Sequence, residues 1–162
     1  MTVLEALFPR QAGNDYRGGR LPLYLFGLLT LVMAGRSLVH FLKDDSGVHS
    51  IATIVRFAGT PDPNVVVYMY SALWGTQQVV TVLIWCVVLW RYRNLVPLMY
   101  GLFALEVVLR MVVGTLHPLT EEHFLRRPPG AVGNLPMLAV GAGMLALALR
   151  NTVSHARREA AA

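Results

Sequence analysis

The sequence predicts an all-α protein, an integral membrane four-helix bundle. Of its 162 residues, 55% are hydrophobic and only 14% are charged, whereas soluble domains carry about a quarter charged residues. Four apolar stretches are each long enough to cross a bilayer as a helix of about 20 residues. These predicted spans are residues 21–42, 65–90, 95–117 and 131–149.

The first span follows a polar, glycine-containing segment, residues 1–20, which we expect to be cytoplasmic. A secretory signal peptide ending near Ala34 is the alternative interpretation. The apolar run continues to Leu42, however, and is long enough to span. This length favours a transmembrane domain over residues 21–149, followed by a cytoplasmic tail, residues 150–162.

The loop after the first span begins and ends with turn-forming clusters of Asp, Gly, Ser and Pro. Between these clusters, Val48, Ile51, Ala52 and Val55 recur at helical spacing. The pattern predicts a short amphipathic interfacial helix near residues 48–59.

The loop between the second and third spans, residues 91–94, is very short. It predicts an antiparallel hairpin of these two spans. The fourth span carries Ala139, Ala142, Gly143 and Ala146 on one face, which permits close approach of another helix. We expect this face to pack within the bundle; a homodimer or another membrane-protein partner is the alternative.

The distribution of basic residues predicts the orientation of the chain. The N-terminal segment, the second loop and the tail hold eight Arg, while the first and third loops hold four Lys or Arg and five carboxylates. Basic residues favour the cytoplasmic side, so both termini are expected there. Trp90 and Tyr92 suit the inner headgroup boundary.

The formal charge of +5 comes from arginines dispersed beside the apolar segments. This is a topology signal, and we expect no nucleic-acid partner. The single cysteine, Cys86, excludes an internal disulfide or a CxxC redox pair.

Polar side chains recur on single faces of the predicted spans, at i, i+4 and similar spacings. Charges inside a bilayer cost about 2.5–3.5 kcal/mol each, so we expect these groups to converge in the bundle interior, in its outer half, with Glu106 deepest. The candidate ligand-binding residues are Arg36, His40, Tyr70, Trp74, Gln77, Gln78, Glu106, Arg110, His117 and Asn134.

Two interpretations of this cluster follow. Glu106 and Arg110 are one helical turn apart and could serve only to neutralise each other. Alternatively, the cluster lines a pocket for a small amphiphile or anion, so that the protein binds lipid or acts as an accessory subunit. A membrane-embedded enzyme with Glu106 as the candidate catalytic acid or base is the rival function.

Metal or haem binding is a further alternative, although no cofactor is predicted. His40, His117, His123 and Glu121 are of suitable types for a divalent metal, but their spacing matches no metal motif. His40 and His117 end two spans at similar depth, which also permits a bis-histidine haem.

The segment from Leu89 to Gly114, which includes the run Leu89–Tyr100, Glu106 and Arg110, resembles a family of small four-helix bacterial integral membrane proteins of unknown function. The resemblance implies a four-helix bundle in a bacterial inner membrane. It carries over no catalytic residue.

Overall fold

A computed structural model describes residues 1–161, which form five α-helices. The helices are α1 (Val3–Leu7), α2 (Arg20–Leu42), α3 (Asn64–Arg91), α4 (Val96–Leu116) and α5 (Pro129–Ala161). Short 3₁₀ turns lie at Arg93–Leu95 and Glu121–His123. The described residues contain no β-strand, so the all-α prediction is confirmed. Helices α2 to α5 are each long and apolar enough to cross a membrane.

The predicted spans match α2, α3 and α4 to within one residue at either end. The fourth span is longer than predicted, because α5 continues through the polar tail to Ala161. Residues 150–161 are rich in alanine and arginine, which favour helix, and no glycine or proline interrupts them.

The four long helices pack as two pairs. Helix α2 packs mainly against α3, and α4 packs mainly against α5, whereas α3 and α4 make only sparse contact. The predicted short turn joins α3 to α4. The two helices of this hairpin do not pack closely against each other, however. We call the end of the bundle that holds this turn and both termini the terminal end, and the opposite end the loop end.

Glycine permits the close contact in each pair. A Cβ atom on Gly75 of α3 would lie 2.7 Å from the backbone carbonyl carbon of His40 in α2. In the second pair, a Cβ atom on Gly141 of α5 would lie 3.1 Å from the ring of Phe103 in α4. The backbones of α2 and α3 therefore meet directly, with no side chain between them.

Aromatic side chains connect the two pairs. The ring of Phe26 on α2 lies 5.1 Å from Trp85 of α3 and 5.3 Å from Tyr100 of α4, and Trp85 meets Phe103 edge-on at 5.9 Å. These separations and tilts are typical of favourable aromatic contacts. All four rings are buried, and they form the centre of the core.

The N-terminal segment is fastened to the terminal end. The Asn94 side chain accepts a hydrogen bond from the Gly13 amide (2.8 Å) and donates one to the Gln11 carbonyl (2.8 Å). The Asn151 amide of α5 donates to the Gly18 carbonyl (2.9 Å), and Arg17 pairs with Glu159. Residues 1–20 thus contact both the α3–α4 turn and the end of α5.

The predicted helix near residues 48–59 is wrong. Residues 44–51 form consecutive turns and residues 55–59 are irregular. Ser46, Gly47 and Thr53 have positive φ angles of 47°, 76° and 57°, which a right-handed helix does not allow. The Asp45 carboxylate instead accepts hydrogen bonds from the backbone amides of Gly47, His49 and Ser50. Such local side-chain bonding competes with helix formation.

The charge on Asp45 belongs to this turn. Partial burial raises the pKa of its carboxyl group, but the hydrogen bonds from Gly47 and Ser50 outweigh burial and hold the pKa below its ordinary value. The ionised form is therefore the one that stabilises the turn.

The two long loops are joined at the loop end. Ile54 and Phe124 form an isolated antiparallel bridge, flanked by hydrogen bonds from the Val55 amide to the His123 carbonyl (3.0 Å) and from the Leu125 amide to the Thr53 carbonyl (2.8 Å). The first loop belongs to the α2–α3 pair and the second to the α4–α5 pair. The bridge therefore ties the two pairs together.

The small-residue face of α5 does not pack within the bundle, contrary to prediction. Its four residues are exposed: Ala139, Ala142, Gly143 and Ala146. The buried small residues of α5 are Gly141 and Ala148, on another face. Association of the exposed face with a second copy or a partner stays a prediction.

The close contact at Gly75 predicts a stability difference between two glycine variants. Gly75→Ala would place a methyl group against the backbone of α2, and overpacking of this kind costs about 1–3 kcal/mol. Gly143→Ala meets nothing within 4 Å and should be neutral or stabilising, because alanine favours helix. Thermal unfolding in detergent should show a lower Tm for Gly75→Ala only. An equal Tm for the two variants would contradict backbone contact at Gly75.

Candidate functional site

The sparse contact between α3 and α4 leaves a cleft of about 320 Å³ between them. Buried apolar side chains, including Trp85 and Phe103, form its floor, and Ile84 and Leu102 are exposed at its sides. The cleft therefore opens laterally, between two helices. It is lined by Met33, Trp74, Gln77, Gln78, Thr81, Val82, Ile84, Trp85, Met99, Leu102, Phe103 and Glu106.

Gln78 is the one buried amide in this lining. It is 6% exposed, and neither its Nε2 nor its Oε1 atom has a hydrogen-bond partner in the described chain. A buried polar group without a partner costs about 1–3 kcal/mol. An amide with a free donor and a free acceptor in the wall of a cavity is a candidate partner for a polar group that enters that cavity.

Glu106 lies across the cleft from Gln78 and is held by Arg110. The Arg110 guanidinium donates to Glu106 Oε1 (2.7 Å) and to the Asn134 side chain of α5 (3.4 Å). The predicted pairing one turn apart on α4 is therefore present. Glu106 Oε2 makes no hydrogen bond within residues 1–161, so one carboxylate oxygen remains an available acceptor.

Arg36 and His40 lie on α2, where both contact the Trp74 ring of α3. The Arg36 guanidinium carbon is 4.9 Å from the centre of the Trp74 ring, within cation–π range. The His40 ring is also 4.9 Å from Trp74, and its Nδ1 donates to the Ser46 carbonyl (2.7 Å). Neither Arg36 nor His40 lines the cleft; Trp74 does.

The structure thus brings eight of the ten candidate residues into one region. Trp74, Gln77, Gln78 and Glu106 line the cleft, Arg36, His40 and Arg110 contact these lining residues, and Asn134 bonds to Arg110. The other two do not line the cleft: Tyr70 is 65% exposed on α3, and His117 is exposed where α4 ends.

The candidate metal ligands do not converge. Across residues 1–161, no group of three His, Cys, Asp or Glu side chains could hold a metal ion. His40 is buried against Trp74, His123 Nδ1 contacts the Thr120 hydroxyl (2.8 Å), and His117 and Glu121 are exposed. The metal and haem alternatives gain no support from this geometry.

The apolar part of the cleft was missed at the sequence level. Val82 and Trp85 follow Gln78 at i+4 and i+7, so they continue its face of α3. That spacing identifies the shared face. The partners on α4, Met99 and Phe103, depend on how the two pairs dock, and no periodicity within a single helix contains that information.

A second, apolar groove of about 270 Å³ lies on the other side of Phe103, between α2 and α5. Leu28 and Val32 of α2 face Pro136 and Val140 of α5 across it. Phe103 lines both spaces and separates them. The α2–α5 groove lacks a charged or amide side chain, which distinguishes it from the α3–α4 cleft.

The chain matches no family model, no curated protein and no solved structure. The resemblance to four-helix bacterial membrane proteins therefore stays a prediction.

The Glu106–Arg110 pair predicts a measurable loss of stability when it is broken. Glu106→Gln would leave the guanidinium, whose side chain is only 19% exposed, without a counter-charge. We expect a cost of about 1–3 kcal/mol, between the values for exposed and fully buried pairs. The measurement is the Tm in detergent.

The control is the double variant Glu106→Gln with Arg110→Gln, which leaves no uncompensated charge at this position. It should recover much of the loss. An unchanged Tm in Glu106→Gln alone would mean that the ion pair does not stabilise the bundle.

Proposed function

We propose that this chain is a multi-pass protein of the bacterial cytoplasmic membrane that binds a small amphiphile in the α3–α4 cleft. The observation that carries the proposal is the cleft itself, with an apolar floor, a few polar groups on its walls and a lateral opening. Ligand pockets are typically apolar, with a small number of placed polar groups, and occupy about 300–1,000 Å³. At about 320 Å³, this cleft suits a small ligand.

The exposed surface of the four long helices supports a membrane location. Many leucines on their outward faces are more than half exposed, and soluble monomers rarely expose contiguous apolar surface of this extent. In a bilayer, these side chains would contact lipid. They include Leu28, Leu31, Leu73, Leu83, Leu105, Leu109 and Leu135.

The lateral opening favours a ligand that arrives from the bilayer. Ile84 and Leu102, at the sides of the cleft, are themselves exposed apolar side chains that would face lipid. A molecule dissolved in the hydrocarbon would enter between α3 and α4 without crossing a polar surface. This route suits an amphiphile better than a free anion, because neither Arg36 nor Arg110 lines the cleft.

The proposed orientation places both termini in the cytoplasm. The N-terminal segment, the α3–α4 turn and the end of α5 meet at the terminal end, which carries the larger number of arginines. Trp90, which is 76% exposed at the end of α3, would lie in the adjacent headgroup layer.

Reporter fusions test this orientation. A reporter that is active only in the cytoplasm should give a signal when it is fused after Asn94. A reporter that is active only outside the cytoplasm should give a signal when it is fused after Glu122. A cytoplasmic signal from the Glu122 fusion would overturn the proposed topology.

Blocking the cleft should remove the bound amphiphile. Leu102→Trp adds bulk at the side of the cleft, whereas Leu105→Trp adds the same bulk to an exposed α4 position that does not line it. Native mass spectrometry of protein extracted from membranes should show amphiphile adducts on the wild type and on Leu105→Trp. We expect them to fall at least fivefold on Leu102→Trp. Equal adducts on the two variants would reject the cleft as the binding site.

A further inference from the structure

We infer that the ligand of the α3–α4 cleft carries an uncharged, hydroxyl-bearing head group that bonds to the amide of Gln78 and the free carboxylate oxygen of Glu106. This inference rests on the proposed function and specifies the chemical class of its ligand. A long-chain alcohol or a glyceride with free hydroxyl groups has this chemistry.

The hydrogen-bonding atoms of the cleft define the head group. Gln78 has a free donor, Nε2, and a free acceptor, Oε1, both buried in the wall of the cleft in a side chain that is more than nine-tenths buried. Glu106 adds a second acceptor, Oε2. A ligand that only accepts hydrogen bonds would leave both acceptors without partners. A hydroxyl group can accept from Nε2 and donate to one of the two acceptors, which a ligand that only accepts hydrogen bonds cannot do.

The charges around the cleft do not favour a charged head group. Glu106 is the only charged side chain that lines the cleft, and Arg110 neutralises it, so the lining carries no net charge to attract an anionic or a cationic head group. Arg110 is already engaged by Glu106 and Asn134, and Arg36 lies against Trp74.

The depth of the polar groups leads to the same conclusion. Gln78 is midway along α3 and Glu106 is midway along α4, so Gln78 is roughly 20 Å from either end of its helix at 1.5 Å per residue. In a membrane, this position is near the bilayer centre. A charged head group is costly to bring there, whereas a neutral hydroxyl group can reach it.

Tryptophan fluorescence provides the test, because Trp74 and Trp85 both line the cleft. The third tryptophan, Trp90, is exposed elsewhere and is removed by Trp90→Phe. Four probes with the same brominated twelve-carbon chain would be added to this protein in lipid nanodiscs: the alcohol, its methyl ether, the sulfonate and the trimethylammonium. Bromine quenches tryptophan on contact, so saturable quenching reports occupancy of the cleft.

We expect the alcohol to reach half-saturation at a mole fraction at least tenfold below that of the sulfonate or the trimethylammonium. We also expect a value several-fold below that of the methyl ether, which only accepts hydrogen bonds. Equal or tighter binding of a charged probe or of the ether would overturn the inference. If no probe gave saturable quenching, the proposed function itself would fail.

The Gln78→Leu variant tests whether the head group bonds to the Gln78 amide. It should raise the half-saturating fraction of the alcohol about tenfold, while Thr76→Val, a matched loss of a polar group on exposed α3 surface, should leave it unchanged. Because Gln78→Leu removes two buried atoms without partners, its Tm without probe should be equal to or above that of the parent. Unchanged alcohol binding, or a lower Tm, would show that the amide has another role and would overturn the inference.

Discussion

The arrangement of this molecule depends on the direct backbone contact of α2 and α3 at Gly75. Since α3 is held against α2 there, it is not free to pack along its whole length against α4, although only four residues separate the two helices. Helix α4 finds its close partner in α5, where Gly141 receives the Phe103 ring. The space between α3 and α4 is therefore a product of the pairing, and large aromatic side chains fill it only at its floor.

The polar residues inside the bundle serve two different purposes. Arg110 pairs with Glu106 on α4 and bonds to Asn134 on α5, and Arg36 is held by the face of Trp74. These contacts neutralise charge and hold helices together. Gln78 differs because it is buried and yet makes none of its hydrogen bonds within the described chain. Unsatisfied groups of this kind in native structures call for an explanation beyond packing, and ligand recognition supplies one.

Much of this fold could be predicted from the sequence, because the length and apolarity of α2, α3 and α4 follow from local composition. The convergence of Glu106, Arg110 and Trp74 could also be predicted from the sequence, because helical spacing and the cost of buried charge restrict where such groups can face. The loop after α2 could not be predicted in this way. Its apolar residues have helical spacing, but the bonds of Asp45 and the positive φ angles of Ser46 and Thr53 produce turns instead. The pairing of helices depends on docking, so the buried face of α5 and the α4 side of the cleft were beyond sequence reasoning.

The bridge between Ile54 and Phe124 has a mechanical consequence for the two helix pairs. At the loop end, this bridge joins the α2–α3 pair to the α4–α5 pair, and at the terminal end the chain itself joins them through residues 92–95. The two helix pairs are thus joined at both ends of the gap between α3 and α4. Any separation of the pairs would be most restrained at these two ends and least restrained at mid-length, where Gln78 and Glu106 lie.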